Sequence, residues 1–139
     1  MQIDTSTEFG ARVARRLDEE YIAWLTTVGA DGTPQPSPIW YLWDGETFLI
    51  YSQPNTPKLR HIAANPRVSI NLDGDGKGGD IIIFTGDAQI DESAPPAHQH
   101  DAYAQRYAEG FRRINKTPEQ FAAVYSVPIR VRPTRLRGH

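Results

Sequence analysis

Two Asp-Gly pairs, Asp31-Gly32 and Asp44-Gly45, stand between short runs of β-branched and aromatic residues, and they restrict the fold more than anything else in the chain. An Asp-Gly pair supplies the left-handed backbone that a tight hairpin needs. The runs around them, Tyr21 to Val28, Thr33 to Trp43 and Thr47 to Ser52, are therefore expected to be consecutive antiparallel strands. Pro34, Pro36 and Pro38 remove donors early in the second strand, so regular ladder pairing is not expected there and the irregular backbone leaves room for a ligand. Further on, Ile39, Tyr41 and Trp43 alternate with Trp40 and Leu42, giving a strand that is apolar on both faces. One face belongs in a barrel interior. The other needs a partner or a ligand, which points to a homodimer.

The third strand runs into Gln53-Pro54-Asn55-Thr56-Pro57-Lys58-Leu59-Arg60-His61-Ile62. Thr56 takes the N-cap position of a helix and Pro57 its first turn, where a missing N–H costs nothing. The first N–H groups of a helix have no intrahelical partners and sit at the positive end of its dipole, so this opening favours an anion. Ser52, Thr56 and Lys58 can converge there. No Lys or Arg occurs between Arg16 and Lys58, so the first cation after a long neutral-to-acidic stretch falls on this opening, with Arg60 two residues beyond.

Around this segment the pattern stays regular. Thr5 and Glu8 read as a capping box, followed by a helix with Phe9, Val13, Leu17 and Tyr21 on one face and Arg12, Arg15, Arg16 and Glu19 opposite. The Pro57 helix must stop before Pro66, and Val68, Ile70 and Leu72 then alternate with polar residues as a fourth strand. Residues 73–80, Asp-Gly-Asp-Gly-Lys-Gly-Gly-Asp, form a flexible polar connection to a fifth strand, Ile81 to Ile90, with a bulge expected at Gly86. Pro95-Pro96 opens helical sequence with Tyr103, Tyr107 and Phe111 on one side, and Thr117 with Gln120 forms a second capping box. A last strand runs from Val127 to Arg137. The expected fold is a mainly β, α+β domain over residues 1–139: a six-stranded antiparallel split barrel with helices packed outside.

Several chemistries have no support. With 15 basic and 17 acidic residues, and the basic ones scattered except at the C-terminus, no nucleic-acid footprint is expected. Without cysteine there is no disulfide, thiolate metal site or cysteine nucleophile, a composition compatible with the cytoplasm. No apolar run reaches the roughly 18 residues of a membrane span. The 73–80 loop lacks calcium ligands, because Lys77 and Phe84 fall where an EF-hand-like loop needs oxygens. His98 and His100, two apart on a helix, face different ways and cannot share a metal. Arg130 and Arg132 share a strand face as a solvated edge or an anion contact. No hydrolytic constellation is present, and no catalytic residue is assigned.

Taken together, Pro36-Ser37-Pro38-Ile39-Trp40-Tyr41, Phe48-Leu49-Ile50-Tyr51-Ser52, Thr56-Pro57-Lys58-Leu59-Arg60-His61-Ile62 and Asn65-Pro66-Arg67-Val68-Ser69 resemble the split-barrel flavin and deazaflavin reductases of the pyridoxamine-phosphate-oxidase class, and most of all the small actinobacterial members that use coenzyme F420. The resemblance covers nearly the whole chain. It implies a homodimer with cofactors in the clefts between subunits, Pro36, Ser37, Ile39, Trp40 and Tyr41 lying along the ring. It also implies Tyr51 and Ser52 beside the ring and Thr56, Pro57 and Lys58 at the phosphate; the Ile50 strand is expected to back the ring and Arg60 to lie near the phosphate. Flavin-mononucleotide members usually carry an arginine where this motif begins with Pro36-Ser37 and a lysine in place of Tyr41. The loss of both favours F420 over FMN and removes support for pyridoxamine phosphate as substrate. The expected activity is hydride transfer to a small planar, electron-poor substrate. An FMN enzyme, or a non-catalytic binder of flavin, deazaflavin or tetrapyrrole, is the alternative.

Overall fold

The computed structural model describes all residues, Met1–His139. Helix α1 (Glu8–Glu19) leads into β1 (Ile22–Val28), β2 (Pro34–Trp40), β3 (Leu42–Trp43) and β4 (Phe48–Ser52). Helix α2 (Pro57–Ala64), β5 (Arg67–Asn71) and β6 (Ile82–Ile90) follow. A 3₁₀ turn (Ala97–Gln99), α3 (Asp101–Arg106), α4 (Ala108–Arg113) and α5 (Pro118–Val124) precede β7 (Val127–Gly138). All neighbouring strands are antiparallel, in the order β2-β1-β5-β6-β7-β4-β3. The two edges, β2 and β3, are separated in the chain by Tyr41 alone, so the sheet has to roll until its edges meet there. This is the expected split barrel, with seven strands instead of six because the second expected strand breaks at Tyr41.

Contrary to expectation, the proline-rich half of β2 pairs regularly with β1, from Val28 opposite Pro34 to Ile22 opposite Trp40. Pro34, Pro36 and Pro38 occupy alternate positions on an edge strand, so their missing donors all fall on the unpaired side. That edge offers carbonyls and almost no N–H groups. Both Asp-Gly turns form, with φ of 86° at Gly32 and 98° at Gly45. The bulge at Gly86 is present as a register shift, because any Cβ there would overlap the carbonyl of Arg132.

Inside the barrel, Leu25, Ile39, Tyr41, Phe48, Ile50, Ile70, Phe84 and Ile129 pack with Val13 and Leu17 of α1. The apolar outer face, expected to meet a partner or a ligand, is covered largely by the chain itself. Leu49, Tyr51, Trp40 and Leu42 are covered by Tyr103, Tyr107, Phe111 and Phe121 from this chain's own α3 to α5. Trp40 stacks parallel to Tyr107 (4.7 Å) and nearly parallel to Phe121 (5.2 Å). Arg106 ties these helices to the barrel: its guanidinium bonds the carbonyls of Asp18 (2.8 Å), Leu17 (3.1 Å), Glu20 (2.5 Å) and Tyr41 (3.0 Å), and lies over the rings of Tyr21, Tyr41 and Tyr107.

Local signals shift by a residue or two. The cap of α1 is Thr7, accepting from the Gly10 N–H at 2.9 Å; Asp4 instead folds Thr5, Ser6 and Thr7 into a turn that delays the helix. The expected polar face of α1 is not wholly exposed. Arg16 is buried, pairing with Glu20 and Asp80 and donating to the backbone carbonyls of Asp73 and Asp80. The 73–80 connection is thereby clamped to α1. The helix expected at Pro95-Pro96 starts later, at Asp101, capped by the His100 ring, whereas the Thr117–Gln120 capping box is as expected.

Candidate functional site

Where β2 passes α2 and α5, two cavities meet at one side chain. The first, about 280 Å³, is mostly apolar and lined by Pro38, Ile39, Trp40 and Tyr51 of the barrel, Lys58 of α2, and Ile114, Phe121 and Tyr125 from the helical segment. Phe121 and Tyr125 stack at 4.5 Å and Phe121 stacks in turn on Trp40, so one wall is built from three stacked aromatic rings. The second cavity, about 410 Å³, has polar walls: Thr27, Gln35, Pro36, Ser37, Pro57, Lys58 and His61. Lys58 lines both. No carboxylate lines either cavity.

The lysine is placed by the helix start. Thr56 holds extended backbone (φ −79°, ψ 156°) at the N-cap, and Pro57 follows. Its hydroxyl does not cap the helix as expected. It lies 3.1 Å from the Ser52 hydroxyl, which also donates to the Gln53 carbonyl at 2.8 Å. The Lys58 N–H is left without an acceptor, while the N–H groups of Leu59 and Arg60 bond the Thr56 carbonyl at 3.2 and 3.5 Å. Half-burial lowers the Lys58 amine from its ordinary value, since desolvation penalises its charge and no protein carboxylate offsets this. An anion in either cavity would supply the missing partner.

The residues expected to touch a cofactor divide into two groups. Pro36, Ser37, Ile39, Trp40, Tyr51, Pro57 and Lys58 line the cavities. Tyr41 and Ile50 do not. Both point into the barrel and are fully enclosed; the Tyr41 hydroxyl lies 2.9 and 2.6 Å from the carbonyls of Leu17 and Glu20. A strand sends alternate side chains to opposite faces, so with Trp40 outward, Tyr41 goes inward. Ser52 is buried and its hydroxyl meets that of Thr56, and neither residue lines a cavity. Arg60 is exposed and donates to the Asn55 carbonyl at 3.0 Å, bracing the loop instead of joining Lys58. Lys77 belongs to the clamped 73–80 turn, its N–H bonded to Asp75.

Tyr51, which lines the apolar cavity, donates its hydroxyl to the Pro95 carbonyl at 2.6 Å. Burial pushes it up to about 12, so it stays protonated and serves as wall and anchor. Arg130 is not a solvated edge residue: it reaches the carboxylates of Asp91 (3.1 Å) and Asp44 (3.6 Å) and the Thr47 hydroxyl (3.2 Å), joining β7 to the second Asp-Gly turn. No three His, Asp or Glu side chains are grouped to hold a metal, and no helix is long and apolar enough to cross a membrane.

Six lining residues escape sequence reasoning: Thr27, Gln35, His61, Ile114, Phe121 and Tyr125. His61 had a readable signal, three residues after Lys58 and hence on the same helical face. The others meet the site only through the β1–β2 register and the folding of the helical segment over β2.

Residues 9–137 match the pyridoxamine 5′-phosphate oxidase family. Among solved structures the chain is similar to an F420 reductase at 26% identity, with 88% of this chain and 94% of that one aligned and a TM-score of 0.64. It is similar also to a conserved hypothetical protein from Mycobacterium tuberculosis (25% identity, 94% and 82% covered, TM-score 0.70). A heme storage protein from Vibrio cholerae shares the fold at 17% identity (99% and 95% covered, TM-score 0.64). No curated protein sequence matches the chain.

Proposed function

The chain belongs to the pyridoxamine 5′-phosphate oxidase family, whose fold binds flavins, and from that premise we propose that it is an oxidoreductase using reduced coenzyme F420 to reduce a small planar, electron-poor substrate. The observation that carries this reading is the shared Lys58: an aromatic-walled slot and a polar cavity have one half-buried lysine as a common wall. A flat heterocycle with an anionic tail has that same division. The similarity to an F420 reductase supports the choice of cofactor.

The donor set fits such a group. The Lys58 ammonium and its unpartnered N–H would hold the phosphodiester, while Ser37 and Gln35 would offer hydrogen bonds along the tail. Trp40, Tyr51 and Phe121 would flank the ring and keep water from it. When bound, reduced deazaflavin supplies the hydride. The protein's part is positioning and exclusion of water, consistent with the lack of an acid–base pair in the slot. The proposal includes a homodimer in which a second subunit closes the solvent side, where Ile114 is both a wall of the slot and exposed.

Equilibrium titration with F420 and with FMN tests the cofactor, and stopped-flow oxidation of the bound reduced cofactor by planar acceptors tests catalysis. Tight F420 binding with acceptor-dependent oxidation is expected. Preferential retention of FMN would make this a flavin enzyme, and binding without acceptor-dependent oxidation would make it a carrier.

A further inference from the structure

His61 sits one turn along α2 from Lys58 and lines the same polar cavity. Its Nδ1 lies 2.8 Å from the Thr27 hydroxyl, and Thr27 is buried on β1. A hydroxyl can donate to a neutral imidazole nitrogen or accept from a protonated one, so Thr27 holds the ring in place in either charge state. Nε2 has no partner in the protein. It faces the space beside Gly29, where a Cβ would stand 3.6 Å from it and 3.4 Å from the Asp31 carboxylate. That carboxylate is fixed by the Thr33 N–H at 3.0 Å.

Resting on the cavity assigned above, we propose that His61 is a second anion contact beside Lys58, and that this seat takes the negatively charged end of its ligand together with a proton. The charged and titratable groups around the ring are few. Lys58 comes from α2 and Asp31 from the β1–β2 turn, while β1 and β2 contribute the neutral Thr27, Gln35 and Ser37. Lys58 carries the positive charge among them and Asp31 the negative one. An anion bound between Lys58 and His61 favours the imidazolium. Binding therefore takes up a proton, and affinity falls as pH rises through the imidazole range. The ligand class is one whose end carries more than one negative charge, such as a phosphodiester followed by carboxylates, because a single charge is already matched by Lys58.

Sulfate is a suitable probe, since its charge is constant over this pH range. In the intact protein, sulfate should move the His61 ring resonances towards the imidazolium position near neutral pH, and should bind about tenfold more tightly near pH 5.5 than near pH 8. His61→Gln should flatten that dependence while retaining the residual affinity due to Lys58. Gly29→Ala, whose methyl group fits without overlap and shields Nε2, should blunt it without removing the ring. Unmoved His61 resonances, or an unchanged pH slope in His61→Gln, would overturn the proposal. If sulfate shifts His61 but neither F420 nor FMN binds, the cofactor reading falls and the anion seat stands. If the cofactor binds and sulfate leaves His61 unmoved, the seat falls and the cofactor reading stands.

Discussion

At the scale of single residues, Lys58 and Tyr41 make opposite predictions although the same motif points to both. Lys58 is desolvated with no protein counter-ion, so its charge works against the empty fold and in favour of an anionic ligand. Lys58→Met should weaken cofactor binding by about 1.5–3 kcal/mol, roughly tenfold to a hundredfold, without lowering the melting temperature. Titration calorimetry and a thermal melt on the same sample check both halves. For Tyr41 the effect is reversed. Its hydroxyl serves the carbonyls that end α1, and Arg106 shares them, so Tyr41→Phe should cost about 1 kcal/mol of stability and leave cofactor affinity unchanged. A loss of affinity in that variant with no change in urea midpoint would return Tyr41 to the site.

Among elements, α5 links a local sequence signal to the site. Its capping box holds the first turn, and the two aromatic residues it carries or ends on, Phe121 and Tyr125, form the roof of the apolar slot. Thr117→Ala should remove about 1 kcal/mol from the helix. Because a frayed roof no longer presents a flat wall, ring binding should weaken as well, visible as lower affinity for the ring alone (riboflavin or its deaza analogue), with sulfate affinity unchanged. The β6–β7 bulge is less tolerant. Gly86→Ala would drive a methyl group into the Arg132 carbonyl, and we expect about 3 kcal/mol or more of destabilisation, read as a collapse of soluble yield or of the denaturation midpoint.

For the molecule as a whole, acid sensitivity should come from the join between β7 and the second Asp-Gly turn. Burial works against the Asp44 carboxylate, but the N–H groups of Thr47 and Glu46 and the Thr47 hydroxyl outweigh it; the Ser93 hydroxyl and Arg130 lower Asp91. Both carboxyl groups therefore lie below their ordinary value of 3.8. A group lowered in the folded state stabilises fully above its unfolded value and loses that contribution as pH falls through the folded one. Stability should thus hold at neutral pH and decline below about pH 4, and Asp91→Asn should flatten the decline in an acid-unfolding series. Light scattering of the purified protein decides the homodimer, and a monomer that still binds cofactor at full affinity would remove the second subunit from the site.

Much of this could be read from the chain because it rests on chemistry between near neighbours. Asp-Gly pairs set the hairpins, alternation set the strands, and Thr-Pro marked the start of α2 with Lys58 at it, while Pro36, Ser37, Trp40 and Tyr51 were pointed to by the family resemblance. What the chain could not disclose depends on separations of many residues: that the apolar outer face at Trp40 and Leu49 is covered by α3 to α5 instead of a partner, that Tyr41 turns inward, that Arg60 braces its own loop, and that Thr27 and Gln35 join His61. Backbone preferences act over a few residues and survive in the sequence, whereas which face of a strand meets solvent, core or ligand is decided only when the sheet closes and distant helices compete to cover it.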